Sequence, residues 1–130
     1  YDLLQRCMAN TSVKADMLFG TDERLIEGLG FGCVGGVGST YNFASPLYRR
    51  IIDAFNRGDM ESANEDQARS LQMIKRMYQN GFVAACKAAM GFAGVDCGPV
   101  RPPIDRIKTE NLVSLRKDLD AMGFFDWAIK

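Results

Sequence analysis

Histidine is absent from the sequence, which removes at once the commonest general base and the commonest metal ligand. No metal and no cofactor is expected. There is no Gly-Lys-Ser/Thr triplet either, and without one a phosphate-cradling P-loop is excluded. Neither sign of charge is in excess: 16 Lys and Arg balance 16 Asp and Glu, so neither nucleic acid nor an anionic membrane is an expected partner. No apolar run approaches the roughly 20 residues of a membrane helix, and no signal peptide opens the chain. A cytoplasmic location is the expectation. The four cysteines (Cys7, Cys33, Cys86, Cys97) show no C-x-x-C spacing and read as small buried hydrophobes in a reducing compartment.

What remains is a chain of one-domain size, 130 residues with 47% hydrophobic and 25% charged, the balance of a globular protein. Leu3, Leu4, Cys7 and Met8 share one face of a helix predicted over Asp2 to Ala9. That pattern starts at the first residue, without an initiating Met or a cap, as expected of a segment of a longer polypeptide. Asn10-Thr11-Ser12 is a loop signal. Asp16 to Gly20 is predicted as a strand whose unbroken apolar run suits parallel pairing with both faces covered. Thr21 is placed to N-cap the next helix, with Leu25, Ile26, Leu29 and Phe31 on its buried side and Gly30 and Gly32 ending it. Cys33 to Val37 is a second strand. Strand, helix, strand in under thirty residues is a βα repeat and implies a parallel sheet. Two strands leave both edges open, and an open edge is a liability; further strands from elsewhere are expected to complete the sheet.

The rest reads as helix. Ser45 is placed as an N-cap with Pro46 at the first helical position, followed by Leu47, Tyr48, Ile51, Ile52 and Phe55 up to Gly58. Asp59 can cap a longer helix bearing Ala63, Gln67, Leu71, Ile74 and Tyr78, which stops at Asn80-Gly81. Phe82 to Met90 is an Ala-rich helix. Gly98 to Pro103 is extended, and Leu112, Leu115 and Leu119 form the stripe of a last helix from Thr109 to Met122.

Two strand ends carry the chemistry. Met17-Leu18-Phe19 stops at Gly20-Thr21-Asp22-Glu23, and the second strand stops at Gly38-Ser39-Thr40-Tyr41-Asn42. In parallel α/β proteins ligands are held at the carboxyl ends of strands. Carboxylates accept hydrogen bonds only, and a serine hydroxyl both donates and accepts, which suits a polyhydroxylated ligand. The plain alternatives are that Asp22 and Glu23 complement a helix dipole, and that Ser39 and Thr40 cap a helix. The match of Gly30 to Gly35 to G-x-G-x-x-G has helix before and strand after, the reverse of a dinucleotide site. Arg49 and Arg50 read as solvated helix surface; Arg101, between prolines, suits an interface or a structural cap as well as a ligand.

The Gly20-Thr21-Asp22-Glu23 and Gly38-Ser39-Thr40-Tyr41-Asn42 pair resembles the last two strand ends of the dihydrodipicolinate synthase and N-acetylneuraminate lyase family of class I pyruvate aldolases, its N-acetylneuraminate lyase branch above all. Phe55-Asn56-Arg57-Gly58-Asp59, the Gln-containing helix and Gly98 to Pro103 share in the resemblance. The fold it implies is α/β, the C-terminal part of a (β/α)8 barrel, with Met17–Phe19 as strand seven and Val34–Val37 as strand eight. Residues 1–58 would be the last βα units and 59–130 a helical extension packed on the barrel. The implied reaction is reversible cleavage of sialic acid to pyruvate and N-acetylmannosamine through a lysine Schiff base. The Schiff-base lysine, an assisting tyrosine and a carboxylate-binding loop would all precede Tyr1. None of Lys14, Lys75, Lys87, Lys108, Lys117 and Lys130 lies at a strand end, so no catalytic residue is assigned to this chain. By the resemblance, Gly20 (through its backbone), Asp22, Glu23 and Ser39 contact the polyol of the substrate, and members assemble as tetramers. A related aldolase acting on another 2-keto-3-deoxy sugar acid, or one like dihydrodipicolinate synthase, is the nearest alternative. A non-catalytic fragment or oligomerisation module is the alternative of another class.

Overall fold

The computed structural model describes residues 1–10 and 15–129. Helix α1 (Asp2–Ala9) leads to strand β1 (Leu18–Phe19), a 3₁₀ turn (Asp22–Arg24), helix α2 (Leu25–Gly30) and strand β2 (Gly35–Gly36). Five helices follow: α3 (Tyr41–Asn56), α4 (Met60–Gln79), α5 (Phe82–Phe92), α6 (Thr109–Ala121) and α7 (Phe124–Trp127). The strands pair in parallel, Leu18 with Gly35 and Phe19 with Gly36. Val34 N–H donating to Met17 C=O and Val37 N–H to Phe19 C=O, both at 2.9 Å, carry the ladder one residue further each way. The βα repeat is therefore as the sequence implies. The predicted loop at Asn10-Thr11-Ser12 lies, beyond Asn10, outside the described residues.

Among the described residues one face of the strand pair is covered. Side chains alternate along a strand: Phe19 and its partner Gly36 face the helices, where a Cβ on Gly36 would stand 3.1 Å from Leu25. Phe19 is buried, while Leu18, Val34 and Val37 stay 55–59% exposed. On the covered face Gly28 of α2 sits directly over Phe19: a Cβ there would stand 2.2 Å from the ring. That contact seats α2 on the sheet. Helix α1 buries nothing, and Tyr1 stacks on Phe31 with ring centroids 5.0 Å apart.

Below the strands the core is built by α2 to α7 around Phe43, Leu47, Tyr48, Ile51, Met73, Met77, Leu115, Leu119 and Phe124. Helix α3 starts four residues before the predicted Ser45, and a kink at Ala44 (φ −120°) joins its two parts just ahead of Pro46. Proline disfavours helix in the residue before it and has no N–H to offer; here the chain bends instead of stopping. Thr21 occupies the N-terminal position of the 3₁₀ turn but its side chain makes no capping bond; its carbonyl accepts from Arg24 N–H instead. Asp59 does cap α4, accepting from Ser62 N–H at 3.1 Å.

The buried face of α4 is Ala63, Asp66, Ser70, Met73, Ile74 and Met77, with Leu71 and Tyr78 exposed. The stripe is turned because polar residues face inward where partners await them. Asp66 accepts from Arg50 at 2.8 and 2.9 Å and from Arg69, so Arg50 is a tether between α3 and α4, not free surface. Arg49 pairs with Asp53 along α3. Ala84, Ala85 and Ala89 put small side chains on the buried face of α5. Helix α7 was not foreseen; Phe124 and Trp127 meet edge to face, centroids 5.2 Å apart, and Ile129 N–H closes the end by donating to Phe43 C=O at 3.0 Å. The cysteines are free, but Cys33 alone is fully buried; Cys86 is half-buried, and Cys7 and Cys97 are exposed. No described helix is long and apolar enough to cross a membrane.

Asp66→Asn is expected to cost about 1–3 kcal/mol, read as a lower urea midpoint. Burial pushes the Asp66 carboxyl up, but hydrogen bonds from Arg50 and Arg69 outweigh it and hold the group below its ordinary value. A depressed folded pKa adds stability above the unfolded value and loses it as pH falls through the folded one. The wild type should therefore lose stability below about pH 4 more steeply than the variant. Parallel pH profiles would remove this ion pair from the account of stability.

Candidate functional site

The two strands end side by side, and the residues after them close around one cavity of about 180 Å³. Gly20, Asp22, Glu23, Gly38 and Ser39 line it from the strand side, and Ile74, Tyr78 and Phe82 from α4 and α5. All four residues singled out in the sequence thus meet in one place. They are not equivalent. Glu23 is half-buried and its carboxylate makes no hydrogen bond or ion pair among the described residues; Gly20 and Ser39 are exposed.

Asp22 is buried, 7% exposed. Its Oδ2 accepts from the backbone N–H of Thr40 at 3.2 Å and from the Thr40 hydroxyl. A hydroxyl has one proton to give. Thr40 gives its proton to Asp22, so the 2.6 Å bond between Thr40 Oγ1 and Tyr48 OH has Tyr48 as donor. Burial, the largest influence, pushes the Tyr48 phenol up to about 12, and it keeps that proton throughout the physiological range. The second strand end passes close beneath: a Cβ on Gly38 would stand 1.8 Å from Asp22 Oδ1. Only glycine fits there while the carboxylate keeps its place.

Thr40 and Tyr48 are the residues that sequence reasoning missed. Thr40 was visible as a helix cap, yet its partner is a carboxylate 18 positions earlier, a distance at which no local pattern speaks. Tyr48 sat on an apolar stripe with only its polar tip as a signal. Tyr41, whose hydroxyl is buried without a partner among the described residues, stacks on Tyr48 at 4.0 Å; burial chiefly, and Asp22 next, push its phenol upward. A larger crevice of about 370 Å³ lies between α5, α6 and the segment before α6. It is mostly apolar, and the Lys87 ammonium at its edge is held by the carbonyls of Cys97 and Pro99 at 2.8 and 3.1 Å. Among the described residues no cluster of Cys, Asp and Glu could hold a metal ion.

Chemically, the strand-end cavity offers one unengaged carboxylate, the hydroxyl residues Ser39 and Tyr78 and backbone polar groups, all hydrogen-bonding and none paired with a base as an activated nucleophile. Gly38→Ala is expected to displace the Asp22 carboxylate and cost about 1–3 kcal/mol, the usual penalty of overpacking, in a denaturant titration. An unchanged midpoint would mean that the carboxylate yields freely and is not held as described.

Comparison with known proteins agrees with this geometry. The dihydrodipicolinate synthetase family matches residues 2–122. An uncharacterized DapA-like lyase of Halobacterium salinarum is 32% identical over 106 residues, 82% of this chain and 35% of the relative. The N-acetylneuraminate lyase of Sus scrofa is 36% identical over 114 residues, 84% of this chain and 36% of the relative. The solved N-acetylneuraminate lyase of Proteus mirabilis superposes with a TM-score of 0.86 at 36% identity, covering 92% of this chain and 41% of that one. The chain therefore spans little more than a third of the length of the curated relatives it matches. Its fold is the C-terminal portion of a (β/α)8 barrel, and the chain belongs to the dihydrodipicolinate synthetase family.

Proposed function

We propose that this chain is the C-terminal portion of an N-acetylneuraminate lyase and supplies the half of the pocket that binds the sugar tail. The observation that carries the reading is the convergence of Gly20, Asp22, Glu23 and Ser39 on one cavity at the ends of adjacent parallel strands. The relatives named N-acetylneuraminate lyase support it. In this reading a lysine on an earlier barrel strand condenses with the C2 ketone of the sugar acid and releases water. The resulting iminium takes up the electron pair of the C3–C4 bond as it breaks while the C4 hydroxyl gives its proton to a base, so that N-acetylmannosamine leaves and an enamine of pyruvate remains. Protonation and hydrolysis of that enamine return pyruvate and the lysine.

Within that reaction the residues here bind and orient. Glu23, with its carboxylate unengaged, accepts hydrogen bonds from polyol hydroxyls, and Ser39 and the Gly20 backbone complete the contact. Asp22 contributes a fixed negative wall more than a free acceptor, since Thr40 already occupies Oδ2. The division into barrel units through Gly58 and a helical extension from Asp59 belongs to the same reading, as do assembly into a homotetramer and a cytoplasmic location. Cleavage of a different 2-keto-3-deoxy sugar acid is the second reading, favoured because the unengaged Glu23 carboxylate would serve any polyol tail.

Incubation of the full-length polypeptide with pyruvate and borohydride, followed by mass spectrometry, should trap a reduced lysine adduct. Absence of an adduct would remove the aldolase reading and leave a non-catalytic role. Glu23→Gln is expected to raise KM for N-acetylneuraminate about ten- to hundredfold, in keeping with about 1.5–3 kcal/mol for hydrogen bonds to a charged group, while pyruvate trapping stays unchanged. Equal losses for both ligands would contradict the assignment of Glu23 to the sugar tail.

A further inference from the structure

Gln67 is a polar residue on the inner side of α4, and its side-chain amide reaches across to the turn that carries Asp22 and Glu23. Its Oε1 accepts from Ile26 N–H at 3.2 Å, and its Nε2 donates to Asp22 C=O at 3.0 Å. Both partners lie more than forty positions away in sequence. The early N–H groups of a helix have no partner within it, and Arg24, at the N-cap position just before α2, makes no side-chain cap. Gln67 does that work from another helix. Ser70, one turn further along α4, adds a 3.4 Å bond from its hydroxyl to the same Asp22 carbonyl and accepts from Gln67 Nε2 at 3.2 Å. Asp22 is thus gripped twice: at its carboxylate by Thr40 and at its backbone by α4.

We infer that Gln67 is a positioning residue, which sets the turn from Asp22 to Ile26 and so aims Glu23 and Asp22 at the sugar tail of the substrate. The inference rests on the aldolase reading for its substrate, while the grip itself rests on geometry alone. An amide suits this place because it donates and accepts on one planar group. A carboxylate of the same shape keeps the acceptor for Ile26 but sets an oxygen against the Asp22 carbonyl; leucine removes both bonds.

The test uses the full-length enzyme with Gln67→Leu and, as a near-isosteric companion that keeps the packing, Gln67→Glu. Both should raise KM for N-acetylneuraminate about tenfold, leave kcat within about twofold, and leave borohydride trapping of pyruvate as in the wild type. An unchanged KM in both variants overturns the proposal. So does a fall in pyruvate trapping that matches the change in KM, because it would mark Gln67 as a residue of the fold alone. Hydrogen exchange gives a readout independent of activity: in Gln67→Leu the Ile26 amide should exchange at least tenfold faster while the amides in the middle of α4 keep their protection. Unaltered exchange at Ile26 overturns the grip. If the wild type traps no pyruvate the aldolase reading fails, and the exchange result alone decides whether Gln67 holds the turn.

Discussion

The bond between the Asp22 carboxylate and Thr40 ties together the two strand ends, and the local architecture is arranged around it. The ladder between β1 and β2 is short, and by itself it sets only the relative height of the strands. Asp22 and Thr40 set how the chain leaves them. The 3₁₀ turn presents Glu23 on one side, the Gly38-Ser39 corner closes under it on the other, and α3 starts from Thr40. Tyr48 donates to Thr40 from two turns into α3 and is packed against Tyr41, so the bond is shielded from water as well as saturated. Low local polarity strengthens such a chain of hydrogen bonds and also makes an incomplete one costly. This explains why glycine stands at position 38: any side chain would take the space of the carboxylate.

The strand-end motifs, the parallel pair and most helix limits were legible because they depend on neighbours in sequence. Apolar runs bounded by glycine mark β1 and β2, and Asp59 and Gly81 mark the limits of α4. What depends on distant partners was not legible. The period of α4 could be read, but its phase could not. Asp66 and Ser70 turn inward because Arg50 and the Asp22 carbonyl wait there, and Leu71 and Tyr78 consequently turn out. Four residues, Phe124-Phe125-Asp126-Trp127, are too few to display a period, so α7 was invisible until the ring contacts were seen.

The site shows the same division. That Gly20, Asp22, Glu23 and Ser39 share a locality follows from their equivalent places after adjacent strands, and the sequence motif suffices to bring them together. Their separate duties do not follow. Asp22 and Glu23 are chemically alike and consecutive, yet one is locked to Thr40 and the other is unengaged. The difference comes from which side of the turn each occupies, and that is settled by Gln67 and Ser70 on α4, more than forty residues on. The exposed face of the strands, with Leu18 and Val37, fits a barrel whose interior is filled by side chains from all its strands. The rest of that barrel's interior would cover it.

The small side chains along the buried face of α5 have a consequence for evolution. Ala84, Ala85 and Ala89 fix how near α5 stands to its neighbours, and Phe82 in its first turn reaches the cavity from that helix. A single methylene added to any of those alanines would move the whole rod, because close-packed interiors transmit displacement and do not absorb it. The width of the pocket mouth is therefore adjustable from positions that do not line it, and a change in what the cavity admits can begin there, unseen by any comparison confined to the lining residues.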